Sequence, residues 1–281
     1  MAVAVVVVAA AGLAARWILG TEAGSAFVEE HPGQYAPSEG SPEGFPWWLN
    51  WAHFFNLFLM ALVIRTGIRI RTETRPEAHW TPRWNSSRKI SLTIWMHQAL
   101  DLLWVLNGVL FVITLFITGH WVRIVPTSWE VFPNAVSAGL QYLILDWPTD
   151  ASWAHYNSLQ ELAYFTTVFI AAPLAIITGV RLSGLWPADS RASRIFPMEV
   201  ARAVHFPVML YFVGFIVVHV AMVLATDALR NLNLIYTGQD VTHWTGFWLF
   251  VGSTAVIIAA MAAVRPSVAA PVASLFGRVG R

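Results

Sequence analysis

Cysteine is absent from all 281 residues. Without a thiolate, the chain cannot hold an iron–sulfur cluster, ligate a haem through sulfur, attach one covalently through a CxxCH segment or form a disulfide. Any metal held by its side chains must rely largely on histidine. Charge is scarce too: 12% of residues are Asp, Glu, Lys or Arg, 57% are hydrophobic, and the mean hydropathy is +0.57. That composition excludes an ordinary soluble domain. The apolar run at 2–20 lacks the positive n-region of a secretory signal, which favours a retained anchor helix. No internal repeat or low-complexity domain is evident, and nothing points to nucleic acid as a partner.

What is present is a series of long apolar runs, around 49–70, 92–118, 162–180, 204–226 and 244–264, with 2–20 as a sixth. Each is long enough to cross a hydrocarbon core, and without barrel alternation lipid demands that they be helical. The predicted fold is an all-α integral membrane bundle of five or six spans. We expect three regions: 1–48, an N-terminal apolar helix and external linker; 49–226, a four-helix core; and 227–281, a C-terminal transmembrane helix and tail. The Pro/Gly/Glu-rich stretch 32–46 reads as linker, and polar residues near 188–193 as a turn.

Fourteen of the seventeen basic residues fall in three regions: the loop after the first core span (Arg65 to Lys89), the segment 181–203, and the C-terminal tail. By the positive-inside rule these face the cytoplasm of a prokaryotic inner membrane. The Lys/Arg-free segment 21–48, the long loop at 122–158 and the short loop at 227–242 then lie outside. Arg16, at the outer end of the first apolar run, fits this poorly. Many of the fifteen Trp sit near span ends and suit interfacial belts.

Of nine histidines, His53, His97, His205 and His219 lie inside apolar spans. An ionisable side chain at membrane depth is costly without a partner and therefore a functional candidate. His205 and His219 are fourteen residues apart, so on a helix they leave one face, separated by about 21 Å of axial rise. Topology gives each a depth. His97 and His205 lie toward the inner leaflet, His53 and His219 toward the outer. Two pairs at two depths are what two bis-imidazole haems need. His31, His79 and His155 read as solvated loop residues, His120 and His243 as interfacial. Gly214, between the two α-helical histidines, would let a macrocycle approach or would pack a neighbouring helix. Asp101, one turn from His97, is an unusual acid for a span, and Arg202 and Arg69 are candidate propionate partners.

These residues resemble a known family: the di-haem cytochrome b subunits of membrane-bound formate dehydrogenases, nickel–iron hydrogenases and related molybdoenzymes, a bacterial cytochrome b561-like membrane domain. The resemblance rests on His53 in WAHFFNLFLMALVIRTG, His97 in WMHQALD, the His205/His219 spacing, and YNSLQ at 156–160 entering a span that ends in Thr178-Gly179. It implies two b-type haems with axial pairs His53/His219 and His97/His205. It further implies that Asn157 and Gln160 contact a quinone (menaquinone or ubiquinone). Asn157 with Gln160 three residues on is also a capping-box pattern. The implied partners are an iron–sulfur electron-transfer subunit and a catalytic oxidoreductase subunit, on the cytoplasmic side if the helix at 2–20 crosses. The function expected is electron transfer between such a partner and the quinone pool. The rival readings are a self-contained transmembrane reductase of the b561 type and a non-haem transporter with proton-relay histidines.

Overall fold

Backbone polar groups in lipid must be satisfied within their own segment, and the apolar runs accordingly fold as helices in this computed structural model. It describes residues 2–37, 40–147, 152–183, 186 and 191–280. In chain order the elements are α1 (Ala2–Leu19), α2 (Glu22–Glu30), α3 (Trp47–Thr72), β1 (His79–Pro82), β2 (Ile90–Ser91), α4 (Leu92–Ile117) and α5 (Val131–Leu143). Then come α6 (Ser158–Phe165), a π-helical stretch at Thr166–Ala171, α7 (Ala172–Leu182), α8 (Arg191–Ile195) and α9 (Met198–Thr226). The chain finishes with α10 (Ala228–Thr237), α11 (Trp244–Ala263), α12 (Pro266–Phe276) and β3 (Gly277–Gly280).

Among the described residues, five helical runs are long and apolar enough to cross a bilayer: α3, α4, the continuous Ser158–Leu182 run, α9 and α11. A sixth exists only if α1 and α2, which meet at an 89° bend, are taken as one span. The expected all-α membrane bundle is thus the fold observed. On α4 a run of large side chains (Leu102, Leu106, Val109, Leu110, Ile113) is exposed. Such a stripe would be an aggregation surface in water and is ordinary against acyl chains. Of the stretch near 188–193, residues 188–190 lie outside the described residues, and Arg191–Ile195 form α8 rather than a turn.

The chain divides into two compact units. The first draws on 1–44, 115–182 and 188–226. Here the region 122–158, expected as a loop, contains α5. One face of α5, carrying Val131, Asn134, Ala135, Ala138 and Gln141, is buried. That spacing is helical, but the apolar members are mostly small and the polar ones serve as hydrogen-bonding groups. Asn134 Oδ1 accepts from the Gly33 amide at 3.0 Å, and Gln141 Nε2 donates to the Pro32 carbonyl at 3.3 Å. Gly33 sits at φ +99°, where a side chain would be strained. Helix α1 lies along α5, with Ala15 fully buried and Gly12 closest to the Leu143 carbonyl. Elsewhere in this unit α7 packs against α9. Helix α9 runs unbroken from Met198 to Thr226 with Pro207 inside it. His205 and His219 therefore share one continuous helix, as the spacing argument requires.

The second unit draws on 45–114, 183–187 and 227–281. Helices α10 and α11 pack on each other and on α3. Their junction is tied by Asn233, which is 1% exposed. Its Nδ2 donates to the Leu229 and His243 carbonyls (2.8 and 2.6 Å), and its Oδ1 accepts from the Gly246 amide (3.1 Å). Gly246 is obligatory there, because a Cβ would fall 2.5 Å from backbone atoms of α10. The basic loop after α3 is not open chain. It forms β1 and β2, and β3 from the C-terminal tail adds antiparallel to β1, giving the order β2-β1-β3. Trp80 is buried beneath α12, donating from Nε1 to the Ala273 carbonyl at 3.0 Å, among Leu92, Met96 and Ala269.

Candidate functional site

The two histidines nearest the basic loops are held by the same local device, once in each unit. In the second unit, α3 places Thr66-Gly67 beside His97 at the start of α4. Thr66 Oγ1 lies 2.8 Å from His97 Nδ1, and Gly67 is the residue facing the ring's Cε1. In the first unit, α7 places Thr178-Gly179 beside His205 near the start of α9. Thr178 Oγ1 is 2.8 Å from His205 Nδ1, and Gly179 faces that ring's Cε1. Thr66 and Thr178 are 0% and 1% exposed. The glycine admits the imidazole; the threonine fixes it.

The hydroxyl also settles the tautomer. Thr178 Oγ1 lies 2.5 Å from the Leu174 carbonyl and 3.1 Å from that of Ala175, both one turn back. Thr66 Oγ1 lies 2.9 Å from the carbonyls of both Leu62 and Val63. A threonine has one hydroxyl hydrogen, and carbonyls only accept, so that hydrogen is committed to the helix backbone. Toward the imidazole the oxygen must accept. Nδ1 therefore carries the proton in both rings, assigned from the hydrogen-bond network. Nε2 then carries the lone pair, the form in which a histidine ligates iron.

These donors fit a haem. Each is a neutral, oriented imidazole in an apolar helix, and the macrocycle itself supplies the remaining in-plane nitrogens. Among the described residues no three His, Asp or Glu side chains gather to hold a bare metal ion, which is the arrangement a mononuclear protein-ligated site would need. Gly214 also leaves the open space a macrocycle would require, since a Cβ there would meet no heavy atom within 4 Å among the described residues beyond its own helix backbone. It is not a close-packing glycine. One asymmetry separates the two devices. Asp101 Oδ2 stands 3.6 Å from His97 Nε2, whereas the residue four beyond His205 is Met209.

His53 lies in the first turns of α3, where α4 is tied to the same stretch: Asn107 Nδ2 donates to the Ala52 carbonyl (3.1 Å) and Trp104 Nε1 to Asn56 Oδ1 (2.7 Å). His219 stacks on Phe215 one turn below it (5.5 Å, 6°) and stands edge-on to Tyr164 (6.0 Å, 78°). His53 and His97 belong to one unit, His205 and His219 to the other.

The YNSLQ segment forms the N-terminus of α6. Asn157 is buried; its Oδ1 accepts from the Gln160 amide (3.0 Å), and Gln160 Oε1 accepts from the Asn157 amide (3.2 Å), completing a capping box. Asn157 Nδ2 donates to the Tyr142 hydroxyl at 2.7 Å. The capping reading of this motif is therefore real geometry. Tyr156 packs edge-on to Tyr164 at 4.9 Å, so two tyrosines lead from this segment to His219.

A residue that sequence reasoning passed over adjoins it. Glu161 is 5% exposed, and its Oε1 accepts from the Tyr35 hydroxyl at 2.9 Å. Its signal was an acid in the first turn of an apolar span, masked by the general preference for acids at helix N-termini. Around it, Arg123 is buried, donates to the Gly44 and Ser152 carbonyls at 2.5 Å each, and lies 4.8 Å over the Tyr156 ring. The expected solvated histidines are partly buried instead. His155 pairs its Nε2 with Gln34 Oε1 at 3.1 Å, and His31 Nδ1 lies 3.5 Å from Glu130. His79 sits within β1. Burial first, then the Arg123 charge, holds His155 below the ordinary histidine range. The same two causes in that order lower His120, which contacts Thr118 at 2.9 Å. His243, by contrast, is exposed at the N-terminus of α11.

Of the two proposed propionate partners, Arg202 is exposed and turned back to Met198 Sδ (3.2 Å). Arg69 is engaged by Glu77 (2.6 Å) and Glu73 (3.8 Å).

Multiple membrane-spanning helices bearing threonine-oriented imidazoles define a membrane-embedded cytochrome of the b type. The chain belongs to the prokaryotic cytochrome b561 family, whose model matches residues 44–238. It is therefore a multi-pass cell-membrane protein that binds b-type haem and transfers electrons. One similar relative is YedZ1 of Azospira oryzae, named as a candidate subunit of protein-methionine-sulfoxide reductase. It is 29% identical over 195 residues, covering 63% of this chain and 88% of its own. No solved structure matches.

Proposed function

We propose that this protein is a di-haem electron-transfer subunit that passes electrons between the membrane quinone pool and a larger redox partner. The axial pairs in this reading are His53/His219 and His97/His205, with Arg202 free to swing from Met198 to a propionate. The observation that carries it is the repeated Thr–Gly/His device: it orients His97 and His205 alike, as the two ligands of one haem, and leaves His53 and His219 as the pair for a second. When bound, haem supplies reversible one-electron chemistry. The chain's own residues hold each imidazole in the Nδ1-protonated form and keep the surroundings dry.

The quinone site in this reading lies at the N-terminus of α6, near His219. Asn157 shapes its wall through the Tyr142 contact, and Gln160, whose cap uses only Oε1, keeps its amide NH2 for a quinone carbonyl. The name of the Azospira relative supports a partner that acts on oxidised methionine in proteins, and the di-haem resemblance supports an iron–sulfur or molybdenum partner. Both are large redox subunits, and both require the same wire.

Haem stoichiometry tests the proposal. Wild type should show two b-type haems per chain. His205→Ala and His219→Ala should each retain one, with different midpoint potentials. Two haems retained in either variant would refute the ligand assignment.

A further inference from the structure

The buried carboxyl of Glu161 is not used by haem ligation, helix capping or topology. It lines a small cavity of about 20 Å³ with Tyr35, Arg123, His155 and Tyr156, room enough for roughly one water molecule. The groups come from four stretches of chain. Tyr35 belongs to the segment after α2, Arg123 follows α4, His155 and Tyr156 precede α6, and Glu161 is in its first turn. Tyr35 and Glu161 meet across 126 residues, so their contact is no accident of local sequence. The Tyr35 hydroxyl donates to Glu161 and accepts from the Thr127 amide at 3.4 Å. His155 Nδ1 is buried with no hydrogen-bond partner among the described residues. The same Tyr156 that lines the cavity reaches His219 through Tyr164.

We propose that Glu161, Tyr35 and His155 form a proton-transfer site that exchanges the protons of a bound quinol with the aqueous phase. This rests on the quinone reading above. Oxidation of a quinol breaks two O–H bonds and releases two electrons and two protons. The two electrons would be taken up by b-type haem held by His53, His97, His205 and His219, with the substrate of the redox partner as the terminal oxidant. Each proton passes to the Glu161 carboxylate, giving the carboxylic acid. From there it moves to the Tyr35 hydroxyl or to a water in the cavity, and on to the buried Nδ1 of His155; burial and the Arg123 charge disfavour the protonated ring, so the proton passes onward rather than resting there. Reduction of quinone runs the same groups in reverse. The titratable and charged groups facing Glu161 are Tyr35, Tyr156, His155 and the Arg123 cation.

A stopped-flow experiment on the haem-loaded protein in nanodiscs tests this, with a naphthoquinol or a benzoquinol as reductant and the α-band as readout. Glu161→Gln preserves shape and an acceptor for Tyr35. It should slow quinol-driven haem reduction about 100-fold, the usual range for losing a positioned proton acceptor. Reduction by dithionite and haem content should be unchanged, and the rise of the wild-type rate with pH should flatten. A Glu161→Gln protein with the wild-type rate and pH profile overturns the proposal. Tyr35→Phe, which leaves the carboxyl in place, provides a second arm. It should displace the pH profile with haem content intact, and an unmoved profile also overturns the proposal, even if Glu161→Gln fails to assemble. Failure of both quinols to reduce wild-type haem that dithionite does reduce would instead overturn the quinone reading itself.

Discussion

Replacing Thr178 by Val removes one hydroxyl from a fully buried site and keeps the side chain's shape. His205 Nδ1–H, now 2.8 Å from an acceptor, would face a methyl group. An unsatisfied buried donor costs about 1–3 kcal/mol. Loss of the partner that orients a metal-binding histidine weakens the metal site by roughly 10–100-fold, about 1.4–2.7 kcal/mol. The two routes agree. The variant should therefore lose haem from the His205 site on dilution or prolonged washing while the His219 site stays occupied. Pyridine haemochrome assay and redox-difference spectra resolve the two. Thr178→Ser, which keeps the oxygen, should restore retention. If Thr178→Val holds haem as tightly as wild type, or if the serine variant is equally damaged, the hydroxyl does not orient the ligand and the tautomer argument fails.

Thr66→Val should reproduce this loss through His97, the other ligand of the same haem, so that both single variants and the double variant keep the His53/His219 haem. Asp101→Asn removes a carboxylate 3.6 Å from His97 Nε2. A neighbouring anion favours oxidised iron, so potentiometric titration should find that haem shifted upward, with about 59 mV for each tenfold change in the redox balance. Asn233→Ala strands the Gly246 amide and the His243 carbonyl and should cost about 1–3 kcal/mol for each group left buried and unpaired, seen as a lowered melting temperature in detergent. His155 and His120 have folded-state values below the ordinary histidine range, so the unfolded chain binds more protons between those values and about 6.5. Their contribution to stability is present above that range and is lost as pH falls through it. His155→Gln should blunt the drop in melting temperature between neutral and acidic pH.

The spans were readable because apolar length is a local property, and α9 runs through both its histidines as their spacing required. Asn157 and Gln160 were readable as a cap for the same reason. What sequence concealed was long-range. The two Thr–Gly pairs precede their histidines by 31 and 27 residues, a mismatch that hides the repeat from any fixed period. Helix α5 was missed because its buried face mixes Ala138 and Ala135 with Asn134 and Gln141, giving little hydrophobic contrast. The pairing of Glu161 with Tyr35 follows only once α5 and α6 have folded the segment after α2 against themselves. The β1–β3 pairing likewise joins a basic loop to a tail nearly two hundred residues away.

That last pairing has a bearing on biogenesis. While the chain is being inserted, β1 and β2 emerge early, but β3, which fills the open edge, and α12, which roofs Trp80, are made only after the five candidate spans. Until residue 280 is available, the hairpin keeps an unsatisfied backbone edge and an uncovered indole. Synthesis of α12 and β3 therefore acts as a clasp on the second unit. A molecule truncated just ahead of Gly277 should insert all its spans yet be recognised by quality-control proteases, which would distinguish insertion from completed folding.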